Sequence, residues 1–590
     1  MSDDGVSHWL DQYGNLETHS WKTSSQNGVT RFYRPLGLVE YAFDSDGRYY
    51  EGRADLNVEL KLSIKSSLSK EQLRERILLA WTLFRFEHPL AQSKAVEKQD
   101  YMTESSPPTQ PIYSVIDVPK DEEDAVHTAR ESLVFLEDHF DTVDPYDFWL
   151  HAQNTSRVVD PQCSLSRCHV YPLQTHADGT ATLRFLINFG HQIADGLTNY
   201  TWMRSFIHLL NKPLPDLHAS LRQDITPTAL QTRLPLPQES LYPHIPGSLA
   251  RQRWFWLLTR ILRHVRKPHP AGFPNPLRRK TPTKPSPLPP TFSPILDYTR
   301  LPHLTTTPIF AKASLPATTR LNRLCRSAGV SVGAGCFALA ALSMMEFHER
   351  LEPTTPLCER KPFITGFPLN PRPFLRKPVP AESLMLAFSD GIELPFLPSS
   401  LPLESRIRLL AKRAQKQLAV YQKRAQPKAG EEDRQALLSY MGSRGPGRML
   451  ATQYLGSLER ANNLLPAAQR SSGPGPQGAY AMRPNATVQT CGVSSVGRRD
   501  ALIGRGMYDV EGPLGGREFA ADFRDMQAAV RAREGEFLIG VGGAEDGLWV
   551  CVSADASAMD DGLVAEWRAR VGEMFGELEG EERKRRGASL

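Results

Sequence analysis

The sequence predicts an α/β protein of two lobes, each a mixed sheet with covering helices, joined by a long proline-rich crossing. Three observations carry that expectation. Leu56, Val58, Leu60, Leu62 and Ile64 alternate with polar residues, the period of a half-buried strand, and the stretch from Ser69 onward repeats apolar residues at helical spacing. Proline then becomes frequent between residues 213 and 305, which rules out a continuous sheet there. Strand and helix patterns resume afterwards, and 590 residues exceed what one hydrophobic core organises. The expected divisions are a first lobe at 1–212, a linker at 213–305 and a second lobe at 306–590.

In chain order, the alternating strand is followed by a helix starting at Ser69, with Glu71 and Gln72 in its first turn. Leu73, Ile77, Trp81 and Phe84 form its apolar stripe and Pro89 ends it. "KDEEDAVHTARESLVFL" reads as a solvated helix with one apolar face. "CHVYPL" and "ATLRFLINFG" read as paired strands joined by a hairpin-type turn at "HADG". From Leu197 a helix is expected, with Trp202, Phe206 and Leu209 or Leu210 inward.

The linker holds one helical island, residues 248–267, whose Trp254, Leu257, Leu258, Ile261, Leu262 and Val265 share a face flanked by arginines. The favoured expectation is a helix packed on its own lobe through that face, with solvated arginines. Contact with a membrane surface or a partner is the alternative. In the second lobe, Ser331 is expected to cap a long apolar helix, and residues 404–424 form an amphipathic one. "GSRGPGRM…SSGPGPQGAY" (442–480) is expected to be a flexible loop. "EGEFLIGVGGAEDGLWVCVSA" reads as a Gly-rich hairpin, and Leu563 to Leu578 as the last helix.

A net charge of +5 is too small to indicate nucleic-acid binding without a local patch. The acidic N-terminus lacks an apolar signal region, and no uncharged run reaches the length needed to span a bilayer. Seven scattered cysteines suit reduced thiols, so a cytoplasmic location is expected. The protein is also expected to be a monomer. Cys163, Cys168 and His169 lack a second cluster, and no metal site is expected.

The chemistry concentrates in "LINFGHQIADGLTNY" (186–200). A buried strand delivers His191 into a turn, a place where scaffolds display reactive groups. Gly190 and Gly196 bracket that turn and would permit tight or left-handed backbone. An imidazole near neutral pKa can take a proton from a hydroxyl or amine attacking a carbonyl. Asp195, four residues on, suits a structural carboxylate paired with an arginine.

The string "HQIADG" resembles the H-x-x-x-D-G motif of the CoA-dependent acyltransferases, which include plant BAHD enzymes, trichothecene acetyltransferases and condensation domains. "ILLAWTLFRFEHPL" and "GVSVGAGCFALAAL" are similar to lobe helices of that superfamily. "GFPLNPRPFL" is similar to the segment whose arginine, here Arg372, pairs with the motif aspartate. "CGVSSVGRRD" (491–500) is similar to a second-lobe strand near the tunnel.

The resemblance implies chloramphenicol-acetyltransferase-like lobes with a tunnel between them. His191 would be the base, Asp195 its anchor, Gly196 and Arg372 the motif's support, and Ser494 or Ser495 the oxyanion donors. It implies acyl-CoA as co-substrate, a small-molecule acceptor and no permanently bound cofactor. The plant-type D-F-G-W-G is absent, and Gly190 stands where condensation domains carry a second histidine. A free-standing fungal-type O-acyltransferase is therefore favoured, with N-acyl transfer, condensation or a non-catalytic binding module as alternatives.

Overall fold

The computed structural model describes residues 12–26, 28–97, 112–245, 247–265, 269–421, 446–464, 488–544 and 546–573. The alternating run forms the strand Leu56–Ser66, with Val58, Leu60 and Leu62 fully buried. Its neighbours are Phe519–Val530 on one side and Ala181–Phe189 on the other. The sheet continues through Ser166–Val170 to Leu133–Phe135. The expected hairpin is present: Gln174 and Thr175 pair with Thr182 and Ala181 around Gly179, whose φ of +79° suits glycine.

Helix Lys70–Glu87 starts at a reciprocal cap. The Gln72 amide N–H donates to Ser69 Oγ, and Ser69 N–H donates to Gln72 Oε1, worth about 1 kcal/mol. Its Trp81 and Phe84 are fully buried and meet Phe206 and Trp202 of helix Gly196–Asn211 edge-on. These rings and the sheet's inner face make the first core.

A second core lies under the sheet Thr306–Ala313, Gly547–Asp555, Phe537–Ala544 and Gly492–Arg498. Helix Val332–Leu351 runs through it, capped by Ser331, and every residue from Ala334 to Met345 is buried. That explains its apolar residues on all sides. Helices Leu315–Ala328, Leu403–Leu418 and Asp561–Glu573 pack around it. The last corresponds to the expected terminal helix, whose remainder lies outside the described residues.

Several features depart from the sequence reading. Strand Phe519–Val530 crosses over from the second lobe and pairs with Leu56–Ser66 along its whole length, putting Phe519, Ala521, Phe523 and Met526 into the first core. A separate four-stranded sheet is built from Lys22–Gln26, Val29–Pro35, Ile112–Asp117 and Lys94–Glu97. The linker begins with helices Leu214–Asp224 and Pro227–Arg233, whose Leu217, Leu221 and Leu230 join the first core. Within the expected 442–480 loop, Pro446–Leu464 is a helix, because Leu450, Ala451, Tyr454 and Leu455 supply an apolar face that the flanking glycines obscured. The rest of that stretch lies outside the described residues.

The linker helix Leu249–Val265 packs on the protein, but through the opposite face from the one expected. Phe255, Trp256 and Thr259 are buried, while Trp254, Leu257, Leu262 and Val265 are exposed. Both stripes are apolar, and distant partners decide between them: Tyr13 meets Trp256 edge-on, and a second helix adds polar contacts. On Pro446–Leu464, Arg448 donates to Thr259 Oγ1 and lies over the Phe255 ring, and Glu459 pairs with Arg263.

Candidate active site

Strand Ala181–Phe189 is hydrogen-bonded on both sides and buried along nearly all its length. It ends at Gly190, whose N–H donates to Leu165 O at 2.9 Å, and the chain turns as Ile193 N–H donates to Gly190 O. Neither Gly190 nor Gly196 has positive φ, so the expected left-handed backbone is not used. Space at 190 is tight instead: a Cβ there would lie 2.7 Å from Gln192 Oε1 and 3.1 Å from Leu165 Cδ2, so a larger residue would make Gln192 shift.

The turn holds His191, which is 8% exposed. Its ring stacks on Phe43 of helix Leu38–Tyr49, with centroids 4.1 Å apart and planes inclined by 22°. Burial lowers the imidazole pKa below its ordinary value, opposed by the residue's own backbone and by the Asp195 carboxylate. The ring is therefore neutral near pH 7. The next residue, Gln192, ties the turn down by donating Nε2–H to Asp44 Oδ1 at 3.0 Å.

Asp195 acts two ways at once. Its Oδ1 accepts from the N–H groups of Leu197 and Thr198, both at 3.0 Å, capping helix Gly196–Asn211. Its Oδ2 accepts from Arg372 Nη2 at 2.7 Å and from Met385 N–H at 2.9 Å. Arg372 Nη2 also donates to Ser383 O at 2.6 Å, and Thr198 Oγ1 donates to the same carbonyl at 2.9 Å. The pair is enclosed, with side chains 7% and 3% exposed. Leu384 N–H donates to Ile193 O, and Glu382 Oε2 lies 2.5 Å from His88 Nδ1 and 3.1 Å from Trp202 Nε1. Residues 382–385 are thus stitched to the turn and to the helix behind it.

The two serines separate. On strand Gly492–Arg498, Ser494 is half-buried and shares a face with Val496, whose Cγ1 lies 3.8 Å from where a Gly196 Cβ would be. Ser495 is exposed on the other face, and its Oγ accepts from Gly497 N–H at 3.3 Å. The pleat puts the two serines on opposite faces of the strand, and a register shift follows between Ser495 and Gly497.

Phe43, Gln192, Thr198 and Met385 were not singled out in the sequence. An aromatic 148 residues before its ring partner carries no local signal, nor does a backbone N–H. Thr198 was the most accessible of them, at the third position past a capping aspartate. A cavity of about 380 Å³ runs along helix Gly196–Asn211 beside His88 and Arg204, without His191 in its wall. Cys168 and His169 point to opposite faces of strand Ser166–Val170. Among the described residues no group of three or more His, Cys, Asp or Glu side chains is placed to hold a metal. Among them, too, no single helix is long and apolar enough to cross a membrane.

No family model matches the chain, and no curated sequence does. Solved structures do. The trichothecene 15-O-acetyltransferase from Fusarium sporotrichioides superposes with a TM-score of 0.63 at 13% identity, covering 98% of this chain and 99% of its own. The first condensation domain of the calcium-dependent antibiotic synthetase, with a substrate analogue, gives 0.48 at 11% identity, covering 95% and 97%. The starter condensation domain of rhizomide synthetase, with C8-CoA, gives 0.47 at 11%, covering 91% and 93%. The chain therefore has the two-lobed α/β fold of that acetyltransferase, end to end.

Proposed function

We propose that the protein is an acyltransferase that moves an acyl group from acyl-CoA to a hydroxyl of a small secondary metabolite. The acyl group is acetyl or of short to medium length, and His191 is the general base. The observation that carries this reading is the neutral, stacked His191 at the exit of a rigid strand, its turn locked by Asp195 and Arg372. The fold shared with an acetyltransferase supports it.

In this scheme the neutral imidazole accepts the hydroxyl proton as the oxygen attacks the thioester carbonyl. The carbonyl oxygen becomes an oxyanion, and Ser494, the half-buried one of the two serines, is the donor offered to it. The tetrahedral carbon then expels the sulfur as the C–S bond breaks, and the imidazolium returns the proton to the thiolate. No covalent enzyme intermediate forms, and acyl-CoA enters as co-substrate rather than as a resident cofactor. Phe43 and the Asp195–Arg372 pair hold the ring and contribute no proton.

The test is product mass. The protein, incubated with acyl-CoAs and a panel of alcohols and matched amines, is expected to yield esters carrying the donor's acyl mass. Products confined to the amines would move the reading to N-acyl transfer. Ester formation unchanged in His191→Ala would remove the proposed base.

A further inference from the structure

Helix Leu249–Val265 carries four arginines, one histidine and no acidic residue. Its inner face is fully used: Phe255 and Trp256 are buried beside Tyr454, Thr259 accepts from Arg448, and Arg263 pairs with Glu459. Among the described residues, the apolar stripe on the other side joins none of the hydrophobic cores. There, Trp254 is 59% exposed, Leu257 43% and Val265 62%, with Ile261 half-buried between them.

At 100° per residue, Ala250, Trp254, Leu257, Ile261 and Val265 form one continuous outward stripe. Arg253, Arg260 and His264 run along one edge of it, and Arg251 stands on the other. An apolar stripe with a tryptophan, edged by arginines and without a carboxylate, matches an acidic headgroup layer over acyl chains. An acidic protein surface would satisfy the arginines but leave the stripe in water. A neutral apolar partner would bury the stripe but strand the charges.

We propose that this face docks the protein on anionic lipid surfaces, the helix lying in the plane of the headgroups with Trp254 at the boundary. The attraction includes the arginine charges, so docking weakens as salt rises. The proposal is independent of the acyl-transfer reading.

The test is flotation of the full chain with phosphatidylcholine vesicles and with mixed phosphatidylcholine–phosphatidylserine vesicles, at low and high salt. Wild type is expected to float with the mixed vesicles at low salt and to stay behind with phosphatidylcholine alone. The double variant Trp254→Glu/Leu257→Glu is expected to lose binding by about ten-fold or more. Its circular dichroism and melting temperature are expected to stay unchanged, because both side chains lie outside the cores. Arg253→Gln/Arg260→Gln is expected to bind more weakly and with less response to salt. Three results overturn the proposal: no flotation of wild type with mixed vesicles, equal flotation with both vesicle types, or undiminished binding by the glutamate variant. A wild-type dimer in light scattering that the glutamate variant turns into a monomer also overturns it, by assigning the face to a second copy of the chain.

Discussion

Replacing Arg372 by Met removes the cation from beside a carboxylate that has almost no access to water. The Asp195 and Arg372 side chains are 3% and 7% exposed, and the partnered oxygen lies 2.7 Å from the guanidinium. Breaking such a pair by deleting one partner costs about 3–5 kcal/mol, chiefly because the remaining charge stays buried. Here Asp195 keeps donors from Leu197, Thr198 and Met385, which places the loss near the lower end, about 3 kcal/mol. Ser383 O keeps the Thr198 hydroxyl, so little more is lost there. The shift of the urea midpoint at constant m measures the loss. Asp195→Asn preserves the cap oxygen but turns an amide donor toward Met385 N–H and Arg372. The double variant should therefore lose less than the two singles together, by about 1–3 kcal/mol. A single-variant loss below about 1 kcal/mol, or strict additivity, would refute the reasoning.

Further outcomes follow from the same geometry. Ser494→Ala should lower kcat by about 10²–10³-fold and Ser495→Ala should leave it unchanged, since Ser494 is half-buried and Ser495 is exposed on the other face; steady-state kinetics of the two variants decides. Phe43→Ala releases one side of the His191 ring, and kcat should fall by about ten-fold or more, with Phe43→Tyr restoring most of it. Because burial lowers the His191 pKa, the acid limb of the kcat/KM profile should lie below 6.5. His19 and His169 are buried with pKa values lowered to about 3, so the unfolded chain binds more protons than the folded one. Their contribution to stability is complete above pH 6.5 and should be lost as pH falls toward 3, which urea midpoints across that range would show.

What could be seen in the sequence depended on how local its cause was. Strand Leu56–Ser66, the cap at Ser69 and the helix after Ser331 rest on neighbours within one or two turns, and their residues announce them. The strand–turn–helix around His191 was legible for the same reason. The pairing of Asp195 with Arg372, 177 residues away, was reached through resemblance rather than spacing. Strand Phe519–Val530 looks like any second-lobe strand until its partner is known, because nothing in its own residues says which sheet it joins. Helix Leu249–Val265 has two apolar stripes, and distant partners settle which one is buried: the helix Pro446–Leu464 with Arg448 and Glu459, and Tyr13 against Trp256. The difference between Ser494 and Ser495 likewise rests on pleat and register beside Gly196.

The most direct test of the central claim is acceptor-dependent release of CoA thiol, followed for wild type and His191→Ala with a panel of acyl-CoAs and alcohols. The account predicts that wild type releases thiol only when an acceptor is present. His191→Ala should lose that dependence by about 10²-fold or more, with its circular dichroism spectrum unchanged. Equal acceptor-dependent release by the two proteins would contradict the account, because the proton would then leave the hydroxyl without His191.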